Sequence, residues 1–298
     1  RLYAEDPAKG FLPSVGKLES FWHNVQGRFE TGVEEKDEIS PFYDPMIAKI
    51  VVRGEDREEA LNALADGCAS VCCDPVKTNA WFLLRLCEHP AFVKGNIGTG
   101  FIADHLEELV DAPQPSELLL QEAAQDLIYN GWDEPKEWVA PTLNFEVGMK
   151  GFRLNREPSD KVTLYVDGQL ESVAFDRELY EGATLWEVSE GSVLGWTEAT
   201  YFERGAAFHF SRFAKAGALG SAAADGAILA PMPGKVTSVE VKQGEKVAKG
   251  QRLLTLEAMK MEHGLVAPFD GVVAELNAKA GAQVQVDAVM AVVEAGQE

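Results

Sequence analysis

The stretch "LEAMKMEHG" (256–264) sets one lysine, Lys260, between Met259 and Met261, and sets that trio between two Gly- and Val-rich, strand-like runs. An exposed methionine pair gains nothing from burial. A lysine flanked in this way in a tight turn reads as a handle: its amine can be acylated, which removes the charge and leaves a long flexible arm. The other residue types that could do chemistry point elsewhere. Cys68, Cys72, Cys73 and Cys87 fit neither a zinc ribbon nor CxxC, and Cys68 and Cys72 lie four apart in a helical pattern. They read as buried or partly buried free thiols in a reducing compartment. The five histidines show neither HxH nor HExxH spacing, so no metal site is expected.

The elements around Lys260 are an internal repeat. "LAPMPGKVTSVEVKQGEKVAKGQRLLTLE" (229–257) aligns with "VAPFDGVVAELNAKAGAQVQVDAVMAVVE" (266–294) at a constant offset of 37 residues, without a gap. Ala230/Ala267, Pro231/Pro268, Gly234/Gly271, Val236/Val273, Gly244/Gly281, Val247/Val284 and Glu257/Glu294 are identical pairs. Each strand–turn–strand unit is too small to bury a core alone. Two of them are expected to pack face to face with pseudo-two-fold symmetry. The peptide between them then forms a tight hairpin at one tip of a sandwich, with Lys260 at its most exposed point.

Upstream, the chain divides by composition. Residues 1 to about 110 alternate strand-like and helical patterns: an extended run in "ISPFYDPMIAKIVVRG" (39–54), then a helix over 55–72 behind an acidic first turn. Thr78 is expected to cap a helix in "NAWFLLRLCEH", and Thr99 a third in "GFIADHLEEL". "VDAPQPSE" (110–117) marks a boundary, and residues 116–131 are helical up to Asn130-Gly131. From about 143 to 213 short alternating segments follow, with a hairpin turn at Asp167-Gly168, so this zone reads as one helix attached to a small antiparallel sheet or barrel. "AKAGALGSAAADGA" (214–227) is a flexible linker by composition.

The formal charge of −21 argues against partners such as nucleic acid or anionic lipid, both of which favour a basic surface. It is uneven: from Gly226 onward there are 7 Lys or Arg against 9 Asp or Glu, so the acidity lies upstream. No apolar run approaches a membrane span. The opening "RLYAEDPAKGFLPSVG" has no signal or transit character, and a chain that opens in mid-strand is expected to be a fragment.

These motifs resemble those of biotin-dependent acyl-CoA carboxylase α subunits. "EAMKME", with "APMPG" upstream and "APFDG" downstream, is similar to the biotin carboxyl carrier domain. The resemblance makes Lys260 the biotinylated residue and Ala258, Met259 and Met261 the signature read by a biotin protein ligase. Lipoyl domains share the duplicated fold but usually lack paired methionines. The ungapped repeat leaves no room for the protruding "thumb" of bacterial acetyl-CoA carboxylase carriers. "RLYAEDP", "YDPMIAKIVVRGEDREEAL", "TNAWFLL" and "HPAFVKGNIGTGFI" resemble the C-terminal part of a biotin carboxylase, an ATP-grasp enzyme, over roughly residues 1–105.

By the same resemblance, Arg1 stabilises the enolate form of biotin, and Asp44, with Lys49 beside it, lies near the biotin end of that site. The alternative for Asp44 is an Asp-Pro turn residue opening a strand. The glycine-rich ATP loop, the metal-binding glutamates and the bicarbonate base are not in the sequence, so ATP, Mg2+ or Mn2+ and bicarbonate would be handled outside it.

The implied fold is a multidomain α+β chain. Residues 1–110 form a truncated ATP-grasp biotin carboxylase C-terminal region, and 111–213 a helix-plus-antiparallel-β-barrel domain that docks a carboxyltransferase β subunit. Residues 214–226 are a linker, and 227–298 an all-β biotinyl/lipoyl-type sandwich of hammerhead form. Trp132, Trp138, Trp186 and Trp196 are candidates for the docking surface. "GFRLN" (151–155), "SPFYDP" and the histidine of "EAMKMEH" are similar to the 3-methylcrotonyl-CoA carboxylase branch. The implied activity is ATP-dependent carboxylation, with the acyl-CoA bound through the β subunit of a hetero-oligomer. The implied location is cytoplasmic, or the mitochondrial matrix in a eukaryote. Propionyl-, acetyl- or geranyl-CoA as substrate, a lipoyl-type carrier without catalysis, and the carrier of a sodium-pumping decarboxylase are the alternatives.

Overall fold

The computed structural model describes residues 1–95, 97–130, 161–174, 191–194, 197–214, 226–258, 261–286 and 288–295. The first module is built on an antiparallel sheet in which β1 (Leu2–Tyr3) and β2 (Arg28–Thr31) flank β3 (Met46–Val51). Leu2 pairs with Ala48, and Leu2, Ile47 and Ala48 are buried with Leu18, Val71 and Val76 in one cluster. The expected helix is α1 (Arg57–Ala69), started by the Asp56 carboxylate, which accepts the Glu59 amide proton at 2.9 Å. It stops three residues short of the expected end. Cys72 lies instead in an extended segment, Cys72–Asp74, that pairs with Ser20–Trp22, so Cys68 and Cys72 do not share a helix face.

Helix α2 (Ala80–Glu88) begins one residue later than expected, with Asn79 as its N-cap position. Neither residue caps it well. The Thr78 hydroxyl accepts the Ala80 amide proton at a long 3.4 Å, and the Asn79 side chain is held by β1. The third helix starts after Gly100, not Thr99. Following α3 (Pro90–Val93), it is divided at His105 into α4 (Phe101–Asp104) and α5 (Leu106–Leu109). These one-turn helices leave most of their carbonyls without an internal partner. Two arginines supply donors: Arg57 bonds the Phe92 and Val93 carbonyls, and Arg85 bonds those of Leu109 and Asp111.

The middle module contains α6 (Glu117–Asn130), capped by the Ser116 hydroxyl, and five antiparallel strands. These are β4 (Lys161–Val166), β5 (Gln169–Ala174), β6 (Gly191–Leu194), β7 (Glu198–Glu203) and β8 (Ala206–Ser211), in the order β5-β4-β8-β7-β6. Asp167 (φ 47°) and Gly168 (φ 85°) make the expected two-residue turn between β4 and β5. Leu119, Ala123, Ala124 and Leu127 of α6 are buried against Leu164, Tyr201 and Phe210 of the sheet. A helix against an antiparallel sheet is therefore what the described residues form. The four tryptophans named above, "GFRLN", and residues 215–225 of the linker lie outside them.

Among the described residues the duplicated module forms eight strands: β9 (Ala227–Leu229), β10 (Gly234–Val239), β11 (Lys246–Val247), β12 (Arg252–Ala258), β13 (Met261–Val266), β14 (Gly271–Leu276), β15 (Gln283–Val284) and β16 (Val289–Ala295). They make two four-stranded sheets, ordered β9-β16-β14-β11 and β13-β12-β10-β15. Advancing each strand of one repeat to its counterpart in the other converts the first order into the second, which is the expected pseudo-two-fold relation. The units do not stack as separate layers, however. Each contributes two strands to each sheet, so the repeats interlock and neither sheet exists without both.

The shared core holds Val236 and Val273, Ala230 and Ala267, and Leu256 and Val293, each at most 1% exposed. Two of the identical pairs explain each other. A side chain at Gly234 would stand 2.7 Å from the Glu257 carbonyl oxygen, and one at Gly271 would stand 2.2 Å from that of Glu294. Both halves need glycine where the strand crosses its neighbour.

Candidate functional site

Strands β12 and β13 pair in register from Leu254↔Leu265 through Leu256↔His263 and Glu257↔Glu262 to Ala258↔Met261. Met259 and Lys260 are the two residues between the last paired positions, and both lie outside the described residues. The described part shows what carries the turn. Leu253, Leu254 and Leu256 are fully buried and hold β12 in the sandwich core, so the hairpin ends are fixed up to its last pair. Ala258 is 7% exposed and packs in that core. The chemistry fits an acylated lysine: a primary amine between paired strand ends, on a module whose interior is complete without it.

The second set of expected residues lies on the first module. Arg1 adjoins Leu2, opposite Ala48 on β3, and is exposed. Asp44 is exposed just before β3, where its carboxylate accepts the Met46 amide proton at 3.0 Å. Lys49 is exposed on β3, opposite Glu30. The antiparallel pairing sets the two apart: Arg1 precedes Leu2↔Ala48, on the Lys49 side, whereas Asp44 lies beyond Tyr3↔Met46, where the Ala4 amide donates to the Pro45 carbonyl, and no ion pair joins them among the described residues. The bond to Met46 gives Asp44 the local turn role that was its alternative reading. Phe42 and Tyr43, just before it, are 74% and 76% exposed.

What holds the Arg1 strand is Asn79, which sequence reasoning did not single out. Its side-chain oxygen accepts the Tyr3 amide proton at 2.9 Å, and its amide donates to Glu5 at 2.9 Å. Its own backbone N–H donates to the Tyr3 carbonyl at 3.1 Å. Burial raises the Glu5 carboxyl above its usual value, and the Asn79 amide opposes that shift. Asn79 is 4% exposed and so positions the strand that begins at Arg1 from inside the core. The available signal was an asparagine just before a helix whose cap it does not make.

His89, His105 and Glu108 bring possible ligand atoms within 4.8 Å of one another, although their spacing along the chain does not link them. The hydrogen bonds favour a clasp over a cation site. His89 Nδ1 accepts the Ala91 amide proton at 3.2 Å as the cap of α3, so in the neutral ring the proton resides on Nε2, facing Glu108 Oε1 at 3.2 Å. A cation at Nε2 would move that proton to Nδ1 and remove the cap. His105 Nδ1 bonds the same oxygen, and the two histidines hold the Glu108 carboxyl below its usual value.

All four cysteines are free and buried. The Cys73 thiol is pushed up to about 12, first by burial and then by Asp74 beside it, which disfavours its thiolate.

Residues 1–104 match the family described as the biotin carboxylase C-terminal domain, and residues 226–293 match that described as biotin-requiring enzyme. The methylcrotonoyl-CoA carboxylase α subunit of Dictyostelium discoideum is 32% identical, over 93% of this chain and 45% of its own length. The propionyl-CoA carboxylase α chain of Ruegeria pomeroyi is 30% identical, over 97% of this chain and 50% of its own. This chain thus spans about half the length of these relatives. A solved structure, the biotin carboxylase domain of Hydrogenobacter thermophilus 2-oxoglutarate carboxylase, is 29% identical over 38% of this chain and 25% of that one, with a TM-score of 0.37. The chain therefore joins a biotin carboxylase C-terminal domain to a biotin-requiring carrier domain, and it is homologous to the α subunits of biotin-dependent acyl-CoA carboxylases.

Proposed function

We propose that this chain is part of the α subunit of a biotin-dependent acyl-CoA carboxylase and that Lys260 carries the biotin. The observation that supports this most directly is the register of β12 and β13, which leaves Met259 and Lys260 as the two residues between paired strand ends of an interlocked sandwich. Biotin supplies a ureido nitrogen able to accept a carboxyl group made from bicarbonate with ATP and to release it to an acyl-CoA. The chain's own residues do the rest. Lys260 forms the amide, loses its charge and gains reach. The sandwich holds the strand ends paired up to Ala258↔Met261. Arg1, next to the strand that Asn79 holds at Tyr3, supplies a guanidinium where oxygen charge develops.

In this reading the middle module docks a carboxyltransferase β subunit in which the acyl-CoA binds. Tethering raises the effective concentration of the carboxyl group at both sites. Methylcrotonyl-CoA is the preferred substrate, supported by the Dictyostelium relative; propionyl-CoA is the second reading, supported by the Ruegeria one.

The test is the intact mass of the chain after co-expression with a biotin protein ligase, beside Lys260→Ala. One biotinyl increment that is lost in the control is expected. No increment, or a lipoyl increment, would sink the carrier assignment. An acyl-CoA panel with the intact holoenzyme decides the substrate: turnover of propionyl-CoA without methylcrotonyl-CoA would select the second reading.

A further inference from the structure

The turn between β7 and β8 is not spent on the middle module alone. Arg204 (φ 53°) and Gly205 (φ 73°) form a two-residue turn whose tip enters the first module where α1 ends and α2 begins. A Cβ at Gly205 would lie 2.7 Å from the Cys68 carbonyl oxygen, 3.0 Å from the Trp81 nitrogen and 3.1 Å from the Ala80 carbonyl carbon. No side chain fits there, and the positive φ disfavours one independently. Around the tip, Arg204 Nη2 contacts both carboxylate oxygens of Glu88, at 2.6 and 2.7 Å. Glu203 accepts the Ser116 amide proton at 2.9 Å, and Lys77 donates to the Ala207 carbonyl at 3.3 Å. Beneath these bonds the cores merge: Trp81 and Phe82 of α2 belong to the same buried cluster as Tyr201, Ala206 and Phe208 of the hairpin. Trp22 meets Phe202 edge-on, with ring centroids 6.2 Å apart.

We propose that the β7–β8 hairpin is a fixed joint that locks the middle module to the carboxylase-like module, so that the two move as one body and only the carrier travels. A swinging domain contact is normally small and more polar than a core. This one combines a side-chain-free wedge, an ion pair in which one guanidinium nitrogen spans both carboxylate oxygens, and a continuous apolar cluster. Resting on the functional reading above, the joint holds any subunit docked on the middle module at a set orientation to Arg1. The swinging distance is then a property of linker and lysine arm alone.

Hydrogen exchange on this chain as a function of low denaturant tests the joint without reference to biotin. Amides of Ala80–Glu88 and of β7 and β8 are expected to open together, in one cooperative unit, while those of β9 to β16 open separately. A hairpin that opens while α2 stays protected overturns the proposal. Gly205→Val is expected to lower protection in α2 and in the hairpin alike, by about tenfold or more, and to leave the carrier unchanged. Loss confined to the hairpin would again overturn it. In the intact holoenzyme, Gly205→Val is expected to leave carboxylation of free biotin unaltered and to reduce acyl-CoA carboxylation about tenfold, because a misplaced site loses rate steeply. Equal loss of both activities, or loss of neither, would remove the coupling role. Failure of Lys260 to carry biotin would refute the functional reading while leaving the exchange result to decide the joint.

Discussion

Asn79 shows how a residue can matter to a site it does not enter. Its side chain is buried and spends its oxygen and its amide on Tyr3 and Glu5. Asn79→Ala would leave the Tyr3 N–H without its partner at the edge of the core, at an expected cost of about 2–3 kcal/mol in urea unfolding of the chain. A loss below about 0.5 kcal/mol would mean that water replaces these bonds and that the Arg1 strand is held by its pairing alone. Asp126 offers a test by pH. It accepts the Tyr201 hydroxyl at 2.6 Å, and burial raises its carboxyl above the usual value, more than this bond lowers it. A carboxyl raised on folding contributes stability that is fully present below its unfolded value and is lost as pH rises through the folded one. Asp126→Asn keeps an acceptor for Tyr201 and removes that titration. Relative to wild type, its melting temperature is expected to gain at pH 7 and to lose the advantage near pH 4. A difference independent of pH would mean that Asp126 is not the titrating group.

Among the elements, the carrier was the most legible in the sequence and the first module the least. The 37-residue offset carried the strand correspondence and the identical glycine and glutamate pairs, whose close approach only the structure shows, because each half solves the same packing problem with the same residues. It did not reveal that the halves interlock, since strand exchange between sheets leaves the inward and outward alternation unchanged. In the first module the local signals for caps misled. Thr78 and Thr99 are good capping types, but Asn79 is occupied by β1, and His105 divides the last helix by turning toward Glu108 and His89. Long-range bonds of this kind leave no periodic trace. At this scale Gly271→Ala is predicted to be worse than Gly234→Ala, because its Cβ would sit at 2.2 Å from a backbone oxygen and not at 2.7 Å. Both substitutions are expected to lower the carrier's melting transition by several degrees, read by calorimetry of the chain. An unaltered transition for Gly271→Ala would show that β14 can shift along β16, and that the repeat does not need its glycines.

For the molecule as a whole, composition suggested three modules and a linker; one buried cluster runs through the first two, and the carrier keeps its own core, against which Leu12 of the first module also packs. The charge division agrees with the contacts: the acidity lies before Gly226, and the carrier beyond it is nearly neutral. A nearly neutral carrier meets little long-range repulsion from the acidic body, so charge does little to set its position. Native trypsin digestion separates the two-body from the three-body arrangement. Lys215 stands in the linker sequence, and cleavage there releases residues 216–298 with Lys260. After brief digestion, size-exclusion chromatography is expected to resolve this small fragment, while Glu88 and Arg204 remain in one particle even if the chain between them is cut. The apolar cluster around Trp81 and Phe208, and not the exposed ion pair, is what holds that particle together, so raising the salt to about 1 M should not divide it. Elution of the 198–211 peptide apart from the 80–88 peptide would return the molecule to three independent modules, with the distance between the carboxylase-like and docking modules left free to vary.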